Sequence, residues 1–243
     1  MDLRERSGSA RRHPWEVARS GFFRQLSGRH VDLPGVARVL DVGAGDGWLA
    51  HELAPDLAPT ARIVCWDVNY RSEDLATPAG DRITRTAQRP EGPFDLVLLL
   101  DVIEHVADDE AFVGLEVVPL LAEGGTAVVS VPAQPGLYSD HDRMLGHHRR
   151  YRPNELRALL GRHLTVRASG SLFTSLLVPR AFEVLLERAG RHSDPKGVGA
   201  WSRGPALTAG MTAALRGDIS ASRFLSRHGV PVPGLSTWAV CAL

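Results

Sequence analysis

Apolar residues along this chain fall into short continuous runs separated by segments of helical period, the alternation expected of successive βα units. Val39, Leu40 and Val42 form the first run, ARIVCWDVN from Ala61 to Asn69 the second, FDLVLLL from Phe94 to Leu100 a third, and TAVVSVPA from Thr126 to Ala133 a fourth. Runs this uniformly apolar suit strands covered on both faces of a parallel sheet. DRITRTAQ, HLTVRASG and the closing STWAVCAL complete a set of seven, the third strand being poorly patterned. Between them, helices are expected from Pro14, with an apolar stripe of Trp15, Phe22, Phe23 and Leu26, and over Trp48 to Leu57 and Asp108 to Leu121. Two more are expected over Leu172 to Arg188, with Pro179 inside, and over Ala206 to Phe224, interrupted near Gly217, with a loop from Gly190 to Pro205. Residues 1–10 lack any period and read as a mobile tail.

The first strand leads directly into RVLDVGAGDGW, where Gly43, Gly45 and Gly47 let the backbone turn tightly and approach a ligand. The helix that follows turns unpaired N–H groups and its positive end toward the same spot. That is a nucleotide-type site, and Asp41 decides which nucleotide. A carboxylate two residues before the first glycine would repel a pyrophosphate and welcome a ligand carrying an ammonium and a sulfonium. Asp67, at the end of the second strand, is placed to accept hydrogen bonds from both ribose hydroxyls of an adenosine.

Asp41, Gly43, Gly45 and Gly47 resemble motif I of the class I S-adenosylmethionine (SAM) methyltransferases. The resemblance implies a Rossmann-like α/β sheet of seven strands with an antiparallel last strand. It also implies SAM contacts from Asp41, Gly43, Ala44, Gly45 and Gly47, with Asp67 on the ribose and Val68 beside the adenine. The acid usual after the third strand is replaced here by Ala87 and Gln88. Upstream, His13, Trp15 and Arg19 match a bacterial segment that covers the SAM pocket. Downstream, Asp101, Glu104 and His105 match the family's fourth-strand motif, with Asp101 beside the cofactor.

Two chemistries compete for those side chains. A histidine can remove a proton from a hydroxyl near neutral pH, so His105 or His147 serves as base, with Glu104, Asp101 and Tyr151 alongside. The Asp-x-x-Glu-His spacing is also similar to the Glu-x-x-Glu-His of ubiquinone-pathway and small-RNA methyltransferases that bind a divalent ion. On that pattern Asp101, Glu104, His105 and His147 are weak ligand candidates, and no metal is expected. Asp142, Gly146, His147, Arg149, Arg150, Tyr151, Pro153, Glu155 and Leu156 resemble a segment of a bacterial methyltransferase group linked to glycan, lipid and secondary-metabolite assembly. Its density of arginine and histidine reads as a surface for phosphate or carboxylate.

Composition narrows the acceptor. The chain has 243 residues, 44% hydrophobic, and a formal charge of +0, which gives no long-range pull on nucleic acid. Cys65 and Cys241 lie in apolar runs and read as small buried hydrophobes in a reducing, cytoplasmic setting. No run approaches the roughly 18 apolar residues of a membrane span, though a peripheral contact is open, as are monomer and homodimer. The expected organisation is a tail and lid helix over 1–30, a SAM-binding core over 31–170, a helical cap inserted over 171–234 between strands six and seven, and a final strand over 235–243. The expected activity is methylation of a hydroxyl on a small molecule, sugar, lipid or natural product bearing an anionic group. Alternatives are N- or C-methylation, a protein or RNA acceptor, a non-catalytic SAM-binding module, and an NAD-type oxidoreductase.

Overall fold

The computed structural model describes residues 12–191, 201–230 and 232–243. The expected tail over 1–10 and much of the 190–205 loop lie outside the described residues. Seven strands make one sheet in the order β3-β2-β1-β4-β5-β7-β6. These are β1 (Arg38–Val42), β2 (Arg62–Trp66), β3 (Ile83–Thr86), β4 (Phe94–Leu100), β5 (Leu121–Pro132), β6 (Thr165–Leu172) and β7 (Ser236–Ala242). The first five pair in parallel, and β7 runs antiparallel between β5 and β6. Chain order reverses where β1 lies against β4, and in such sheets the crevice beyond the strand ends at that point receives the ligand.

Each face of the sheet is covered. On one side α1 (Pro14–His30) and α2 (Trp48–Leu53) bury Phe22, Phe23, Leu26, Ala50 and Leu53 against Val39, Ile63, Leu96 and Leu98. α1 starts cleanly because Pro14 needs no N–H partner there and the His13 ring accepts from the Trp15 N–H. On the other side α6 (Pro153–Leu160) buries Leu156 and Leu160 against Val97, Val129 and Ala239. Short helices α3 (Ser72–Ala76), α4 (Asp109–Ala111) and α5 (Asp140–Leu145) lie in the connections. Between β6 and β7 come α7 (Leu177–Arg188) and α8 (Pro205–Arg227), and α8 packs against α1.

Four expectations are corrected. The helix of Trp48 to Leu57 ends at Leu53, and Ala54–Asp56 tightens into a 3₁₀ turn where Pro55 cannot supply an N–H. The helix expected over Asp108 to Leu121 keeps only the short α4, widens into a π turn over Phe112–Val117 and tightens into a 3₁₀ turn over Val118–Leu120; Leu121 already pairs with Phe94 in the sheet. Of Leu172 to Arg188, the first residue belongs to β6 and the helix begins at Leu177. Finally, α8 passes through Gly217 without a break. Thr212, Leu215, Ile219 and Ser222 give it a continuous buried face on both sides of that glycine, and tertiary packing overrides its weak propensity.

Candidate active site

A cavity of about 990 Å³ opens at the carboxyl ends of β1, β2 and β4. Its floor is Asp41, Val42, Gly43 and Ala44, one side is Trp66, Asp67, Val68 and Asn69, and the other is Leu100, Asp101, Val102, Glu104 and His105. The glycine turn is built from left-handed backbone: φ is +62°, +57° and +76° at Gly43, Gly45 and Gly47. At Gly43 a Cβ would come within 2.8 Å of Val102 Cγ2, so only glycine keeps the turn pressed against the neighbouring loop. Gly45 and Gly47 shape the turn from behind rather than lining the cavity; the Gly45 N–H donates to Asp67 Oδ2 at 3.0 Å. The Asn69 N–H donates to Asp67 Oδ1 at 2.9 Å, which fixes that carboxylate at the rim.

Asp41 is buried, and burial pushes its pKa up to about 7; nearby Asp67 and Asp46 push the same way, while Arg19 pulls it down. A buried carboxylate among other acids is an electrostatic demand for a cationic ligand. α1 closes the opposite wall. Arg19 pairs with Asp101 at 2.8 Å and lies over the rings of Trp15 and Phe23, Arg12 pairs with Asp46 and sits over Trp48, and the His13 ring meets Trp201 edge-on.

At the far end the cavity is lined by His141, Leu145, His147, Arg150, Leu176, Arg180 and Glu183. His147 is held by a feature that sequence reading did not place. Its Nδ1 lies 2.9 Å from Oδ1 of Asp142, a fully buried carboxylate that also accepts from Arg150 Nε, the Ser139 N–H, the Ser139 hydroxyl and Arg180. Burial alone would raise the Asp142 pKa, but the His147 hydrogen bond and the Arg150 charge reverse this and hold it well below the usual carboxylate range. His147 also meets His105 edge-on, with ring centroids 4.6 Å apart. Glu104 lies beside both: its carboxyl is fully buried, neither oxygen has a hydrogen-bond partner, and burial together with the Asp101 charge raises its pKa. One ligand atom from each of Glu104, His105 and His147 falls within 4.8 Å of the others. Asp101 stands apart from that group, engaged by Arg19.

Two expectations fail here. Tyr151 does not reach the cavity: its buried hydroxyl donates to Asp109 Oδ2 at 2.7 Å, with the Ile103 carbonyl at 3.3 Å, pinning its segment to the loop after β4. Tyr151→Phe is therefore expected to lower stability by about 1–3 kcal/mol while SAM affinity holds, as thermal unfolding and calorimetry would show. The expected anion-reading surface is also largely neutralised, since Arg143, Arg149, Arg150 and Arg152 pair with Asp140, Asp109, Asp142 and Glu155. Of the arginines near this far end, Arg150 and Arg180 border the cavity.

Comparison with known proteins agrees with this geometry. The family described as "Methyltransferase domain" matches residues 16–190, most of the chain. The chain belongs to that family. The sheet has the fold of the class I methyltransferases. A ubiquinone biosynthesis O-methyltransferase of Caulobacter sp. (strain K31) is 32% identical over 125 residues, covering 47% of this chain and 48% of that protein. One from Xanthomonas campestris pv. campestris (strain B100) is 35% identical over 116 residues, 41% and 44% of the two chains. The methyltransferase thus spans about half the length of the curated relatives it matches. Among solved structures, the N-methyltransferase NodS from Bradyrhizobium japonicum WM9 superposes with a TM-score of 0.54 at 15% identity, covering 94% of this chain and 96% of that one. The [4+2]-cyclase SpnF gives 0.57 at 16%, covering 98% and 84%. At such identities the likeness is one of fold.

The residues present fit SAM: a glycine cradle that a Cβ would obstruct, a buried acid at Asp41 for a cationic tail, and Asp67 at the neighbouring strand end. Cys65 and Cys241 are both free thiols and buried, as expected of core residues. Among the described residues no helix is long and apolar enough to cross a membrane.

Proposed function

We propose that the enzyme methylates a hydroxyl group of a small acceptor, with His147 as the base. Asp41, Gly43, Ala44, Asp67 and Val68 hold the cofactor, which brings a methyl group already bonded to a good leaving group. Aligning the acceptor with that methyl is the larger part of catalysis, and removing the hydroxyl proton is the rest. The observation that carries the reading is the Asp142–His147 pair on the cavity wall. Asp142 accepts the Nδ1 proton, which leaves Nε2 as the acceptor nitrogen and fixes the ring. Arg19 and Trp15 close the cofactor end from α1. The helix α7 acts as a cap, with Arg180 at the acceptor end to receive a phosphate or carboxylate. The O-methyltransferase relatives support oxygen over nitrogen or carbon. The test is methyl transfer from isotopically labelled SAM to a panel of matched alcohols, phenols and amines, with products resolved by mass spectrometry. Label in methyl ethers supports the reading, and label confined to amines or carbon overturns it.

A second reading rests on the closeness of Glu104, His105 and His147 and on the two unpartnered oxygens of Glu104, a donor set suited to a divalent cation. Chelation separates the two. With His147 as base, activity survives exhaustive EDTA treatment; with a required metal, it falls to background and returns on adding Mg²⁺, Mn²⁺ or Zn²⁺.

A further inference from the structure

α7 turns part of its apolar surface to solvent. Its inner side carries the buried Val184 together with Arg180, which lines the cavity and reaches Ser139 and Asp142, and Glu187, which accepts the Asp140 N–H. A second apolar stripe faces outward. Val178, Phe182 and Leu185, spaced to share one stripe, are 76%, 61% and 62% exposed. On α8, Leu207, Met211 and Leu225 are exposed as well, so the large apolar side chains left in contact with solvent are concentrated between β6 and β7. A globular surface seldom leaves such a concentration uncovered without a partner.

Charge indicates which partner. The chain is neutral as a whole, yet among the described residues of this insertion the exposed charges are Arg188, Arg191, Arg203, Arg216 and Arg227 against Glu183. Exposed apolar side chains with a local cationic excess match the interfacial zone of an anionic bilayer, where apolar groups enter the acyl boundary and arginines meet the lipid phosphates. We infer that α7, with the exposed flank of α8, docks the enzyme on an anionic membrane surface, and that the acceptor is an amphiphile held in that surface. Because the inner face of α7 borders the acceptor end of the cavity, one helix connects lipid to active site. The assignment of the acceptor rests on the proposed function; the docking does not.

Flotation of the purified protein with extruded vesicles tests the docking without any methyl transfer. The protein is expected to float with phosphatidylcholine vesicles containing phosphatidylglycerol, and much less with phosphatidylcholine alone or in high salt. Phe182→Gln with Leu185→Gln is expected to reduce the partition coefficient about tenfold or more, and Arg191→Glu to reduce it for anionic vesicles selectively. Neither change touches the cavity, so SAM affinity by calorimetry and the far-ultraviolet circular dichroism spectrum should match the parent and certify the fold. No flotation with anionic vesicles, or flotation that the paired glutamines leave unchanged, overturns the inference. So does light scattering that shows a dimer dissociated by the paired glutamines together with no vesicle binding, which would assign the stripe to a second copy of the chain. If vesicles bind as expected but no hydroxyl acceptor is methylated, the docking stands and the functional proposal fails.

Discussion

Replacing His147 with alanine is expected to slow methyl transfer about 10²- to 10³-fold while the affinity for SAM stays at the parent value. The separation follows from position, because His147 stands at the acceptor end and the cofactor groups lie at the ends of β1 and β2. Truncation should leave the fold intact, since Asp142 keeps Arg150, Arg180 and Ser139 after the imidazole is gone. Single-turnover rates with labelled SAM, beside calorimetric titration of SAM, provide the two readouts. Asp142→Asn should slow the same step and also lower the melting temperature, because Arg150 and Arg180 would then lose a buried counter-charge. A His147→Ala enzyme with the parent rate would remove His147 from proton transfer.

Replacing Asp41 with asparagine is expected to weaken SAM binding by about two orders of magnitude, in line with losing a charge-assisted contact in a buried site. The same carboxyl makes binding depend on pH. In the ligand-free protein burial sets its pKa at about 7, and an ammonium beside it favours the ionised form. SAM therefore binds the ionised carboxylate, affinity falls as pH drops below about 7, and it levels off above. Near neutrality binding should release a fraction of a proton, and at about pH 9 none from this group. Calorimetry in two buffers of different ionisation enthalpy measures this directly. A binding heat independent of buffer near pH 7, or an unaltered affinity in Asp41→Asn, would place the cationic end of the cofactor elsewhere.

How far sequence sufficed depended on how local the cause was. Strand runs such as Val39 to Val42 and Phe94 to Leu100 declare themselves because a strand covered on both faces has little room for polar residues. The glycine turn and its two acids were equally legible, since left-handed backbone and a buried charge each demand a particular residue type. Helix geometry was less so: the stretch after α4 widens into a π turn and then tightens into a 3₁₀ turn at Pro119 where its apolar pattern suggests a regular helix, and α8 runs through Gly217 because α1 lies along it. In the site, Glu104, His105 and His147 meet only when the segment after α5 folds back, tied by the His148 N–H to the Glu104 carbonyl at 2.7 Å. Nothing in spacing alone identified Asp142 as the group that orients His147, or separated Tyr151, which braces the loop, from the side chains that face the cavity. The one available signal was an acid five residues before a histidine within an arginine-rich stretch.

Asp142 serves two masters in this architecture, because Arg180 of α7 and the imidazole of His147 both draw on its oxygens. An acceptor whose own anion drew Arg180 away would leave that carboxylate with one cation fewer and a stronger hold on the Nδ1 proton, making Nε2 more basic at the moment it is needed. Substrate recognition at the mouth of the cavity would then tune reactivity further in, so an ester of the natural acceptor should react more slowly even where it fits equally well.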